Sequence, residues 1–158
     1  MAHVSERKFL GHRLLPGGRL GIAPKSIERA KDRIREITRR NRGVSLGIML
    51  RELNSFLGGW VTYFRYAECQ GHLKHLDAWV RRKLRCVRLK QRKRCKSIAD
   101  YLRELGVPMR RSWALAGSGK GWWRLAGSPP ANEAMSLAWF RSQGLLSLTE
   151  RYLELQNS

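Results

Sequence analysis

Between Asp77 and Asp100 the chain carries ten lysines and arginines and no carboxylate, and most of this stretch reads as one helix from about Leu73 to Arg92. At about 100° per residue, Leu73, Leu76, Val80, Leu84 and Val87 fall within roughly 80° of one another. Arg81, Arg85, Arg88 and Arg92 gather on the opposite side, at about 120° to 180° from Leu76. The reading is a helix with one core face and one arginine ridge, the ridge facing outward as a unit. Arg94 would return to the apolar side, so the packed helix should end near Lys93.

Such a helix needs a polyanion. The whole chain has 32 Lys+Arg against 12 Asp+Glu in 158 residues, a formal net charge of +20, and charge of that size repels itself unless something balances it. A hydrophobic content of 42%, with six Trp, four Tyr and four Phe, is enough for a buried core, so this is no disordered basic tail. A solvated charged face is the usual meaning of a charge run, but the missing carboxylates remove the ordinary intrahelical pairing. Phosphate neutralisation by Lys and Arg is the reading that remains.

The expected contacts are Arg81, Arg85, Arg88 and Arg92 on nucleic-acid backbone, with Arg82, Lys93 and Arg94 beside them. A second group lies downstream, where Trp122, Trp123 and Arg124 follow Lys120 and the pair Arg110-Arg111. Aromatic rings beside arginine can stack on unpaired bases, which RNA displays in loops and bulges. At least one of the two tryptophans is expected to plug the core, since a small fold needs its large apolar groups inside.

Other classes fit poorly. No run approaches the roughly 20 apolar residues that cross a bilayer, and Met1 to Leu10 carries charges where a signal peptide would be apolar, so a cytoplasmic chain without a membrane partner is expected. Cys69, Cys86 and Cys95 are too few and odd in number for a disulfide framework, and read as small buried apolar residues. Cys69-x-x-His72-x-x-His75 holds zinc-ligand types without zinc-site spacing, so no metal or other cofactor is expected. Asp77 and Asp100 stand alone, and Gly117-Ser118-Gly119-Lys120 lacks the strand and the Ser/Thr of a phosphate loop, so no catalytic residue is assigned.

Periodicity places the remaining elements. Phe9 to Leu14, a turn at Pro16-Gly17-Gly18 and Leu20 to Ile22 form a β-hairpin, which must lie on a sheet or on the following helices. A helix follows Pro24 with Ser26 as N-cap and Ile27, Ala30, Ile34 and Ile37 on its face, ending at Gly43. The next opens at Ser45 and buries Leu46, Met49, Leu50, Leu53, Phe56 and Leu57. Gly58-Gly59 interrupts it before Trp60, Tyr63 and Phe64. Ser97 to Asp100 starts a helix with the stripe Ile98, Tyr101, Leu102 and Leu105, stopped by Gly106 and Pro108. Residues 107–130 read as a Trp-bearing loop, followed by helices over Ala131–Gln143 and Leu148–Leu155. The fold expected is mainly α: a hairpin over 1–23, a three-helix thumb-like bundle over 24–96 and a smaller helical unit over 97–158.

Two strings carry a resemblance. Leu53-Asn54-Ser55-Phe56-Leu57-Gly58-Gly59-Trp60-Val61-Thr62-Tyr63-Phe64-Arg65, then Leu76-Asp77-x-Trp79-Val80-Arg81-Arg82-Lys83-Leu84-Arg85, resemble the maturase-specific (thumb, or X) domain of group II intron-encoded reverse transcriptases. The likeness continues in Gly121-Trp122-Trp123-Arg124, Asn132 to Trp139 and Gly144 to Leu148, and Phe9-Leu10-Gly11-His12 is similar to the hairpin that ends the family's palm. The resemblance implies a protein that grips structured intron RNA and helps it reach its splicing conformation, the RNA itself performing the transesterifications. The family's Tyr-Ala-Asp-Asp element has no counterpart, nor do the fingers and most of the palm, so the chain resembles a C-terminal fragment or degenerate copy. The zinc-binding nuclease module of some relatives has no counterpart either. Arg92 stands where relatives often have an aromatic residue. Asn54, Trp60, Tyr63, Phe64 and Trp79 are expected to be mainly structural. Two alternatives accompany this reading: the thumb half of a split reverse transcriptase with a separate catalytic half as partner, and a general nucleic-acid-binding protein. DNA encountered during retrohoming is a further partner that the resemblance allows.

Overall fold

The computed structural model describes residues 11–158; the expected strand residues Phe9 and Leu10, and the segment from Met1, lie outside the described residues. The architecture is mainly helical. Strand β1 (His12–Leu14) pairs antiparallel with β2 (Leu20–Ile22) in the register His12 to Ile22, Arg13 to Gly21 and Leu14 to Leu20. Nine helices follow among the described residues: α1 (Pro24–Ile37), α2 (Leu46–Tyr63), α3 (Gln70–Arg92), α4 (Cys95–Glu104), α5 (Met109–Ala116), α6 (Trp122–Ala126), α7 (Pro129–Ala134), α8 (Leu137–Ser142) and α9 (Leu148–Gln156).

These elements sort into two compact units built from non-contiguous stretches. The first comprises residues up to Ile37, Arg51–Asp77 and Leu146–Ser158; the second comprises Thr38–Leu50 and Ala78–Leu145. The chain thus passes between them inside α2 and α3, so the units do not follow the sequential division at 23/24 and 96/97.

In the first unit the hairpin is held by helices rather than by a larger sheet. The turn between its strands uses Gly17 and Gly18 in left-handed conformation, with φ of 79° and 77°. The Ser26 hydroxyl donates to the Gly11 carbonyl at 2.7 Å, the Glu68 N–H donates to the Leu20 carbonyl at 2.7 Å, and the His12 ring lies against Tyr63 and Phe64. Ser26 is therefore a buried tie to the hairpin and not the N-cap of α1, which opens on Pro24, where a missing N–H costs nothing. The helix ends at Ile37 rather than Gly43. Ala30, Ile34 and Ile37 are buried as the periodicity predicts, and Ile27 is half-buried.

Helix α2 is continuous through Gly58-Gly59. The glycines serve close approach instead of a break: a Cβ on Gly58 would meet the Leu146 side chain at 3.6 Å. One turn earlier on that helix, the Asn54 Oδ1 accepts the Leu146 N–H at 2.8 Å. Asp77 completes the anchor. Its carboxylate is buried and accepts the N–H groups of Leu148 and Thr149 at 2.8 and 3.0 Å, and the hydroxyls of Ser147 and Thr149 at 3.1 and 2.8 Å. An anion beside the first N–H groups of α9 satisfies donors that the helix cannot satisfy itself and complements its dipole. Two polar residues of the maturase-like strings, Asn54 and Asp77, thus secure one C-terminal segment within this unit.

In the second unit, Leu84, Leu89, Leu102, Met135 and Phe140 are fully buried. Helix α3 ends at Arg92, and Lys93 takes a positive φ of 62°. Helix α4 begins at Cys95 with Arg94 at its N-cap and no side-chain cap, two residues before the expected Ser97 start. It buries Ile98, Tyr101 and Leu102, with Leu105 half-buried. Residues 107–130 contain two short helices, α5 and α6, where the Gly, Ser and Pro content indicated loop. The expected Ala131–Gln143 helix is two, parted at Met135 (φ −109°, ψ 67°), with the Ser136 hydroxyl accepting the Trp139 N–H to restart α8. Of the cysteines, Cys69 and Cys86 are buried and Cys95 is exposed, against the expectation that all three fill core. Burial pushes the Cys69 thiol up to about 11, which makes it inert near neutral pH.

Replacing Asp77 with Ala strips four donors of their acceptor and is expected to cost about 3 kcal/mol in urea unfolding. Asn at the same position should recover part of that loss.

Candidate nucleic-acid interface

All twelve expected contact residues fall in the second unit, and that unit holds most of the charge. Within its boundaries are 19 lysines and arginines against 3 carboxylates, a formal +16, whereas the first unit holds 13 against 9, a formal +4. The polyanion-seeking character belongs to one unit.

Inside it, the arginine row does not face outward as a unit. Arg85 is buried, its Nε donating to the Met135 carbonyl at 2.8 Å while the guanidinium lies 5.4 Å from the Phe140 ring centroid. Burial, and secondarily Arg81, lowers its pKa to about 10, which leaves the group charged at neutral pH. Arg88 donates to the Tyr101 hydroxyl at 3.0 Å, and Arg92 stacks on the same ring at 4.2 Å. Arg82 donates to the Trp123 carbonyl through Nε and a terminal nitrogen at 3.0 and 2.9 Å, and its guanidinium covers the Trp123 ring at 4.1 Å. Arg81 is half-buried.

Among the described residues no carboxylate does this work. Carbonyl oxygens and aromatic faces hold the row, so its positive charge is covered without being cancelled. The signal that could have warned of this lies on the same helix: Cys86 and Leu89 stand at about 280° and 220° from Leu76, flanking the ridge with apolar groups. Both are buried.

The remaining expected contacts divide cleanly. Lys93, Arg94, Arg110, Lys120 and Arg124 are exposed. Arg111 is engaged with Glu133 at 2.6 Å, and Trp122 is half-buried. Trp123 is 37% exposed, but Arg82 occupies one of its faces and Lys83 lies 5.2 Å from its centroid. Asn54 and Phe64 are structural as expected; Tyr63 is exposed.

A feature that periodicity passed over is the basic turn Thr38-Arg39-Arg40-Asn41-Arg42-Gly43, too short and too polar to register as an element. With the end of α3 it forms a cleft of about 550 Å³, lined by Arg39, Arg40, Arg88, Lys90 and Lys93 and by no carboxylate among the described residues. Elsewhere, Cys69, His72 and His75 line a separate cleft with Glu68 and Tyr152. Among the described residues no group of three or more His, Cys, Asp or Glu side chains could hold a metal ion. No described helix is long and apolar enough to cross a membrane.

The chain matches a known family model, the group II intron maturase-specific domain, over residues 27–106, just over half of its length. The chain belongs to that family. No curated protein sequence matches it. Membership assigns this maturase-specific domain a function related to group II intron maturation and, at that level, a group II intron RNA as partner. The matched span holds the anchors, the arginine row and the basic turn, while α5 to α9 lie beyond it.

Two substitutions test the internal role of the row. Arg85→Ala leaves the Met135 carbonyl without its donor and should destabilise the chain by about 2 kcal/mol in urea unfolding. A Cβ on Gly127 would come within 2.7 Å of the Arg82 guanidinium carbon, so Gly127→Ala should drive that flexible head off Trp123. A change in tryptophan emission with a stability loss below about 1 kcal/mol is the expected result.

Proposed function

We propose that this chain is an RNA-binding maturase domain that stabilises the folded form of a group II intron RNA for splicing and performs no chemistry itself. The observation that carries the reading is the concentration of a formal +16 in one compact unit of a maturase-specific domain. Packing RNA helices against one another is opposed by phosphate repulsion, and a folded protein surface of opposite sign lowers the free energy of the compact RNA. The contacts are made by the cations the fold leaves accessible. Lys93, Arg94, Arg110, Lys120 and Arg124 carry backbone binding, with Trp122 beside them. Arg82, Arg85, Arg88 and Arg92 act mainly by holding this surface in shape, and Arg81 and Arg111 add to its field.

The test is a titration of the full chain against a transcribed group II intron RNA and against duplex DNA of similar length, at several salt concentrations. Tighter binding to the intron RNA is expected, with log K falling linearly in log salt. Replacing Lys93, Arg94, Arg110, Lys120 and Arg124 with Gln should flatten that slope by roughly 3 to 4 at unchanged helicity. Equal affinity for both nucleic acids would defeat the maturase reading.

A further inference from the structure

The cleft under the Thr38–Gly43 turn differs from the arginine row in what holds its charges. The row is covered by carbonyls and rings. In the cleft, Arg39 and Lys93 are exposed and Lys90 is half-buried, and the lining residues include five cations and no anion. Two of those cations reach neutral groups: Arg40 the Cys86 sulfur at 3.7 Å, and Arg88 the Tyr101 hydroxyl at 3.0 Å. Like charges gathered around one concavity raise the energy of the empty protein, and a concave wall focuses their field inward.

The wall is also built. The Gln91 side-chain amide donates to the Val44 carbonyl at 3.2 Å, which ties the turn to α3. Gly43 has a φ of 72°, a left-handed conformation that lets the chain reverse there, and the Ser45 hydroxyl accepts the Ile48 N–H at 3.2 Å to fix the start of α2. Val44, Leu46, Met49 and Val87 give the cleft an apolar floor beneath its charged rim. A rim of guanidinium and ammonium groups over an apolar floor suits a phosphate with its attached sugar, and about 550 Å³ has room for a short piece of such a backbone.

We propose that this cleft is a phosphate-binding site that seats the sugar–phosphate backbone of RNA, with Arg39, Arg40 and Lys93 at its mouth and Lys90 inside. The site rests on the RNA-binding reading above and deepens it, by assigning a defined grip to a turn outside the residues first expected to touch RNA.

The experiment uses the full chain, a transcribed group II intron RNA as probe, and two variants of equal charge. One is R39Q/R40Q/K93Q in the cleft; the other, K25Q/K74Q/R103Q, removes three exposed cations elsewhere. Circular dichroism establishes that both keep wild-type helicity. The cleft variant is expected to bind at least tenfold more weakly near 150 mM salt and to flatten the salt slope by about 2, with the other variant changing much less. Lysine acetylation read by mass spectrometry supplies a measurement that needs no variant: the RNA should protect Lys90 and Lys93 and leave Lys25 reactive. Equal losses in the two variants, or Lys90 and Lys93 acetylated as fast with RNA as without it, would overturn the cleft while the RNA-binding reading stood. Wild-type chain that prefers intron RNA no more than duplex DNA would overturn both.

Discussion

The bond from Arg85 to the Met135 carbonyl, with Phe140 beneath the guanidinium, is the constraint around which the second unit is arranged. A buried arginine is costly to desolvate, and here the cost is offset by a hydrogen bond and a ring face rather than by an opposite charge. Arg82 on Trp123 and Arg88 and Arg92 on Tyr101 repeat the device along the same helix. On the proposed reading, in which the unit presents positive charge to RNA, this choice is an advantage. Carboxylate partners would cement the unit equally well but would cancel its positive field.

The first unit uses the opposite chemistry for a different task. Asp77 and Asn54 accept backbone donors from the segment Leu146–Thr149, and Arg19 pairs with Glu68 at 2.8 Å. Its near-balanced charge fits an assembly held by caps and apolar packing, with Leu53, Leu57, Leu73 and Leu148 fully buried. Two residues that stand out in the maturase-like strings are thus explained by where two orphaned ends of backbone need acceptors, without any ligand.

Much of the helical plan was legible from period alone. The apolar stripes of α1, α2 and α3 and the termination near Lys93 required only spacing and punctuation. Start signals were less dependable: Ser26 and Ser97 have N-cap chemistry, yet Ser26 bonds to the hairpin and α4 opens at Cys95. Residues 107–130 were misread because α5 and α6, at eight and five residues, are too short to show a period and are helical through packing of Leu115, Leu125 and Ala126.

The site divides along the same line. Total charge, helical class and family are properties of composition and local spacing, so they survive without coordinates. Which arginines are free is not local, because it depends on residues fifty positions away, such as Met135 for Arg85. A helical wheel reports only that the ridge is opposite the core stripe; it cannot report that Tyr101, Trp123 and Phe140 arrive to cover it. Accessibility belongs to the tertiary fold, and it moved the accessible charge from the middle of the long helix toward its end and the Thr38–Gly43 turn.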